Sequence, residues 1–178
     1  AKANPGKVNW ATQGLGGSSQ LVGELFKSLA GVDIFAVHYK GSTPANTDLM
    51  ANRVDLHFDG VSTSLPNVAG KRVKAIAITG EKRMAVAPDI PTFVEAGLKD
   101  MVAYSWYGIV VPTGTPAPVV NKLNEEINRY LAQKDVQERM TRDGSEVGNL
   151  TPAQFAKMIA DETEVWRKVL APLNLKLD

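Results

Sequence analysis

The sequence has no cysteine, so disulfides, thiolate metal sites and cysteine nucleophiles are excluded together. Its two histidines, His38 and His57, each lack a second histidine three to five residues away, which removes the usual zinc spacing. No metal and no other cofactor is expected. An excess of one charge is missing too: 20 Lys plus Arg against 19 Asp plus Glu leave a formal net charge of +1. That balance excludes an electrostatically driven nucleic-acid binder. The longest stretch without a charged side chain, Met101–Asn121, contains Gly108, Pro112, Gly114, Pro116 and Pro118 and cannot be a continuous membrane-spanning helix.

What is present is 178 residues, 44% apolar and 22% charged, the composition of a globular chain with room for one good core or two small ones. The absence of cysteine leaves the redox compartment open. Ala1-Lys2-Ala3-Asn4-Pro5-Gly6-Lys7 reads as the last turn of a helix running into a Pro-Gly turn, without an initiator methionine. The expectation is a piece of something longer.

From Val8 to Thr79 short apolar runs alternate with helical patterns, the signature of strand-helix-strand units and a largely parallel sheet. Strands are predicted over Val8–Thr12, Val32–Tyr39, Asp55–Asp59, Arg72–Thr79 and Tyr104–Val111. Leu21, Val22, Leu25, Phe26 and Leu29 recur on one helical face, with Gly31 where a left-handed cap is wanted. Thr43 with Pro44 predicts a capped helix over Pro44–Ala51. Ser62–Ala69 reads as a turn or two of helix interrupted by Pro66. After Pro112 the character becomes helical: Thr115-Pro116 opens a helix with Val119, Val120, Leu123, Ile127 and Leu131 on one face, and Asp135 caps a short one that stops near Gly144. Thr151 with Gln154 forms a capping-box pattern before the last helix. The crossing between two domains is expected near Tyr104–Pro112.

The loop Gly14-Leu15-Gly16-Gly17-Ser18-Ser19 lies between a strand and a helix. Glycines let the backbone approach a ligand, and the amides at a helix N-terminus attract carboxylate or phosphate. The dinucleotide fingerprint fails at Ser19, no Gly-Lys-Ser/Thr completes a phosphate loop, and Gln20 breaks a nucleophile elbow. The same residues also suit a plain turn with a serine cap. Tyr39-Lys40-Gly41-Ser42-Thr43 is a second such loop and Phe58-Asp59-Gly60 ends a third strand. In a parallel sheet all three emerge at one edge, where open α/β sheets bind ligands. A hydrolase-like triad can be drawn from Ser18, His38 and Asp59, but chain order does not establish its geometry.

Gly14-Leu15-Gly16-Gly17-Ser18-Ser19-Gln20, Tyr39-Lys40-Gly41-Ser42-Thr43-Pro44-Ala45, Asp48-Leu49, Phe58-Asp59, Pro88-Asp89-Ile90-Pro91-Thr92, Ser105-Trp106-Tyr107-Gly108 and Pro112-Thr113-Gly114-Thr115-Pro116 occur in this order. Across essentially the whole chain this combination resembles the solute receptors of tripartite tricarboxylate transporters, the Bug family. The resemblance implies an α/β, type II periplasmic binding-protein fold of two lobes, with the first lobe incomplete for want of an N-terminal segment. Residues 1–104 would be most of the second lobe, and 105–178 the crossing strand and helical return into the first. It implies a periplasmic receptor without catalysis that captures a di- or tricarboxylate, an aromatic acid or an acidic amino acid for membrane permease subunits.

By the same resemblance, Thr12, Gly14, Gly16, Gly17, Ser18 and Ser19 belong to the loop that binds a ligand carboxylate. Tyr39, Gly41, Ser42 and Thr43 line the adjacent loop, and Asp59 matches an acidic residue that can face a ligand amine. The chain departs from the family pattern at Gly17, commonly Ser, and at Gln20, commonly His. Two other readings remain open from sequence: a serine-dependent α/β hydrolase-like enzyme using Ser18 or Ser19, and a ligand-gated sensor of the same fold. With part of a lobe absent, self-association through uncovered edges is also expected.

Overall fold

A computed structural model describes residues 1–171 of the chain. They divide into two compact units, Ala1–Ser105, which also takes in residues 169–171, and Trp106–Lys168. Residues 172–178 of the expected C-terminal segment lie outside the described residues.

The first unit is built on a three-stranded parallel sheet of β1 (Val8–Thr12), β2 (Ile34–His38) and β3 (Leu56–His57), in the order β2-β1-β3. Helices α1 (Ser18–Ala30), α2 (Ser42–Met50) and α3 (Val61–Ala69) follow the three strands in turn. Central β1 pairs Val8 with Ile34 through Thr12 with His38 on one side, and Trp10 with Leu56 and Ala11 with His57 on the other. A strand covered on both faces must be apolar or small on both. Trp10 and Ala11 are accordingly fully buried, Ala11 in a cluster with Ala45 and Val54 bordered by Val37, Tyr39 and Leu49. Trp10 lies so close to Gly23 that a Cβ there would enter the indole. Lys27, in the last turn of α1, sits over that ring, 5.5 Å from its centroid. The β1–β3 register is held by a reciprocal clamp: Asn9 N donates to Asp55 Oδ2 (2.9 Å) and Asp55 N donates to Asn9 Oδ1 (3.0 Å).

Four elements of this unit differ from the sequence expectation. β2 is Ile34–His38, shorter at both ends than Val32–Tyr39, because only these five residues pair with β1. β3 is only Leu56–His57, since Asp55 is spent on the clamp and Asp59 on contacts described below. α2 begins at Ser42, with Gly41 as N-cap at φ 109°, so Thr43 is not the cap and Pro44 is the third helical residue. A left-handed glycine allows the earlier turn, and Pro44 loses nothing in a first turn whose N–H groups have no helical partner anyway. α3 runs through Pro66 instead of breaking there.

The predicted strand Arg72–Thr79 does not form; a single parallel bridge, Ile78 with Thr92, is all that remains of it. Thr79 Oγ1 donates to Ala103 O (2.7 Å) and Ala103 N donates to Thr79 O (3.0 Å), fixing this irregular segment to the chain just after buried Met101. The predicted strand Tyr104–Val111 is likewise not a strand. β-Branched and aromatic residues fit a pleated surface, but a strand exists only where a neighbour supplies its hydrogen bonds. Among the described residues none does, and Ile109 and Val110 stand 68% and 77% exposed.

The second unit contains α4 (Ala117–Leu131), α5 (Lys134–Arg142) and most of α6 (Pro152–Leu170). Pro116 is the N-cap of α4, one residue later than a Thr115 cap; Thr115 Oγ1 is spent on Pro112 O (2.8 Å). Gln133 precedes α5, leaving Asp135 inside its first turn instead of capping it. The capping box of α6 forms in full, with Gln154 N donating to Thr151 Oγ1 (3.2 Å) and Thr151 N to Gln154 Oε1 (2.9 Å). Trp106 donates its indole N–H to Glu162 (2.8 Å) and meets Phe155 edge-on at 5.3 Å.

Candidate functional site

All three strands of the first unit are parallel, so the loops leaving β1, β2 and β3 open on one edge of the sheet. In the order β2-β1-β3 the chain leaves β1 on one side and returns on the other, so the strand order reverses between β1 and β3, where open α/β sheets have their ligand crevice.

The β1–α1 loop is shaped by Gly14 (φ 151°) and Gly16 (φ 72°), conformations that side chains resist. Gly17 is the N-cap of α1 and offers no side chain, so the serine cap allowed by the sequence is not made. Ser19 turns back instead, its Oγ accepting from Gln13 N (2.7 Å), and Gln20 Oε1 accepts from Gly16 N (2.7 Å). Both side chains are buried and pin the loop from beneath. Gln20, at one of the two departures from the family pattern, therefore holds the loop's backbone in place. Gly16 and Ser18 remain exposed. Ser18 and Ser19 are the first two residues of α1, whose amides have no partner within the helix, and no acid occupies its first turn. The exposed face of this loop can hold an anion.

The second loop is tied to the first by the backbone: Tyr39 N donates to Thr12 O and Gly41 N to Gln13 O, each 3.0 Å. Tyr39 is anchored by its hydroxyl on Asp48 Oδ2 (2.8 Å), and Arg53 holds Asp48 from the other side (2.9 Å). The Tyr39–Asp48 bond, backed by Arg53, lowers the Asp48 pKa against the cost of its burial. Thr43 is exposed and Ser42 half-buried.

Asp59 sits where the loops meet, its side chain 2% exposed. Its Oδ1 accepts from Gln13 Nε2 (2.7 Å) and Ser42 Oγ (3.0 Å), and its Oδ2 from Asn46 Nδ2 (2.9 Å) and Ser64 Oγ (3.0 Å). A carboxylate has about four lone-pair directions, and four protein donors fill them. Burial pushes this carboxyl up, but the hydrogen bonds, led by the one from Asn46, and nearby His57 outweigh it and hold it below the usual range. The geometry differs from the ligand-amine contact the resemblance implies, because no oxygen of Asp59 is left unspent.

Thr12 is fully buried, its Oγ1 2.8 Å from His38 Nδ1 and 3.3 Å from Gly14 O; it supports the loop from below. The triad drawn from Ser18, His38 and Asp59 is not assembled: His38 is engaged with Thr12, and the imidazole near Asp59 is that of His57, at 3.9 Å. Ser19 is equally unsuited as a nucleophile, buried with its oxygen accepting from a backbone amide. Of the expected residues, then, Gly14, Gly16, Gly17, Ser18, Tyr39, Gly41, Ser42 and Thr43 lie in the β1–α1 and β2–α2 loops and the first turns after them, at this edge of the sheet. Thr12, Ser19 and Asp59 lie beneath it. Gln13, Asn46 and Ser64 were missed by sequence reasoning. Only Gln13 carried a signal, as the residue between a strand end and the glycine loop.

The model of the tripartite tricarboxylate transporter family receptor matches residues 1–175. A UPF0065 protein from the tcbD-tcbE intergenic region of Pseudomonas sp. strain P51 is 39% identical over 98% of the chain and 52% of its own length. Among solved structures, a periplasmic transporter is similar at TM-score 0.88 and 35% identity, over 99% of this chain and 59% of its own. Rpa4515 of R. palustris, solved with adipate, gives TM-score 0.89 at 32% identity over 96% and 57%. MatC of Rhodopseudomonas palustris, solved with bound malate, gives 0.83 at 34% over 93% and 57%. The chain spans about half the length of the curated relative it matches.

Proposed function

The chain belongs to the tripartite tricarboxylate transporter family of receptors, and we propose on that premise that it carries the principal ligand loops of a periplasmic receptor for a small carboxylate, which it passes to membrane permease subunits. The family and the structural neighbours are substrate-binding receptors, not enzymes. The observation that carries the reading is the start of α1: exposed Gly16 and Ser18, two amides outside the helix ladder, and no acid in the first turn. Backbone dipoles and hydroxyls aimed at one point hold a carboxylate without a basic surface. That agrees with a net charge of only +1. Adipate and malate, found in two structural neighbours, are both small carboxylates.

In this reading Gly14, Gly16, Gly17 and Ser18 take one ligand carboxylate, and Tyr39, Gly41, Ser42 and Thr43 border the rest of the ligand. Residues 1–104 serve as most of one lobe and 105–178 as the crossing and return into the other. The two lobes close on the ligand, and a permease reads the closure.

Titration calorimetry on the protein as its gene encodes it, against adipate, malate, citrate, benzoate and glutamate, is expected to show at least one carboxylate bound. Ser18→Ala should weaken it by about tenfold or more, the worth of a hydrogen bond to a charged group. Silence toward the whole panel sinks the receptor reading.

A further inference from the structure

Three helices of the first unit start on a glycine N-cap that offers no side chain, with no acid in the first turn of any of them. Their positive ends all lie at the strand-end edge of the sheet. The negative charge placed among them by the fold is Asp59, and its bonds are not evenly shared. It accepts from Ser42, the first residue of α2, from Asn46 further along that helix, and from Ser64 near the start of α3. Toward α1 it reaches only Gln13, in the loop before the helix. The starts of α2 and α3 are therefore answered from within the protein, and that of α1 is not.

We propose that Asp59 is a positioning residue: its buried carboxylate binds the β1–α1 loop, α2 and α3 into one unit beneath the crevice, holds the α1 amides ready for a carboxylate, and takes no part of the ligand itself. The proposal rests on the receptor reading above. The Gln13–Asp59 bond joins the end of β1 to the end of β3 beneath the crevice. Loosening it frees the glycine loop from the remainder of the site. A ligand class follows. An ammonium group finds no open oxygen on Asp59, and the other acid near the loops, Asp48, is occupied by Tyr39 and Arg53. The ligand these loops accept is a carboxylate without an amine.

The test is titration calorimetry with adipate, malate and, as the amine-bearing counterpart, glutamate, on the protein as its gene encodes it. The variants are Asp59→Asn, Gln13→Met, Ser64→Ala and the double Gln13→Met/Ser64→Ala, each with its melting temperature recorded. Coulomb's law alone predicts that removing a negative charge beside an anion site tightens binding. Positioning predicts the reverse: Asp59→Asn turns an amide toward the Asn46 donor and weakens adipate or malate by about tenfold or more. If Asp59→Asn does not fold, Gln13→Met and Ser64→Ala decide, because neither residue borders the ligand. Each should weaken binding with a melting temperature shifted by only a few degrees, and the double variant should depart from the product of the two losses by about twofold or more.

Unchanged or tighter carboxylate binding in Asp59→Asn overturns the proposal. So does a loss confined to glutamate, a loss of melting temperature without loss of affinity in the single variants, or strictly multiplicative losses in the double. Wild-type protein that binds none of the three ligands instead removes the receptor reading, and the proposal with it.

Discussion

At His57 the hydrogen-bond network decides which nitrogen carries the proton. Asn46 gives its Nδ2 to Asp59, so its Oδ1 is left to accept, and the partner 3.0 Å away is His57 Nδ1. The imidazole is thus protonated at Nδ1, and its Nε2 lies buried without a partner. Burial pushes the His57 pKa below its ordinary 6.5, outweighing the attraction of Asp59. The unfolded chain then binds more protons than the folded one below about pH 6.5, and stability is lost as pH falls through the folded value. Asp59, depressed from 3.8, acts in the same direction in a lower window. The melting temperature is expected to hold above about pH 6.5 and fall below it. A His57→Gln variant should lack the upper of the two declines, and a decline of equal size in that variant would contradict the assignment. None of this was legible in the sequence. His57 was visible as a lone histidine in a strand, but its partners come from α2 and from the end of β3, and only the fold brings them together. Gly31 was legible, because a left-handed residue after a helical face is a local requirement; it lies at φ 58°.

Among the elements, those set by local chemistry follow the sequence most closely. β1 matches its predicted bounds, since Val8–Thr12 is a short run between turn residues. The capping box of α6 is written in two residues three apart. Elements that need a partner were overestimated: Val73, Ile76 and Ile78 look like a strand, yet Ile76 is 61% exposed and only Ile78 finds a bridge. Contact between α1 and β1 is the reverse case, where a glycine that weakens a helix is required by packing. Gly23→Ala would gain helix propensity but drive a methyl into Trp10, whose side chain is fully buried and has no free space to retreat into. A net loss of about 1–3 kcal/mol is expected from denaturant unfolding, accompanied by a change in tryptophan fluorescence. A neutral or stabilising result would mean that the indole moves aside without strain.

For the molecule as a whole, the exposed apolar surface is more than singly scattered residues. Tyr107 is 99% exposed, Ile109 and Val110 follow it, and Val119 and Leu123 of the expected apolar face of α4 are 47% and 42% exposed. Large apolar side chains left in water in this number favour association. The 178-residue chain expressed by itself is expected to sediment and scatter light as more than one copy, with the proportion rising with concentration. A monomer at all concentrations would show that this surface is covered within the chain. The family was legible because its motifs lie in loops whose residues are chosen one by one. The distribution of duties within the crevice was not, because bordering a ligand and supporting the residue that does so use the same serines, threonines and acids.

The Asn9–Asp55 clamp bears on the length of the chain as well as on its register. Between Asp55, fixed to β1, and Asp59, fixed to four donors, run only Leu56, His57 and Phe58. With both ends anchored in extended backbone this stretch works as a ruler, and a single inserted or deleted residue would carry the carboxylate about 3.3 Å along the strand, beyond reach of its partners. Exposed loops elsewhere in the chain can lengthen or shorten without moving a buried group; this interval has one permitted length.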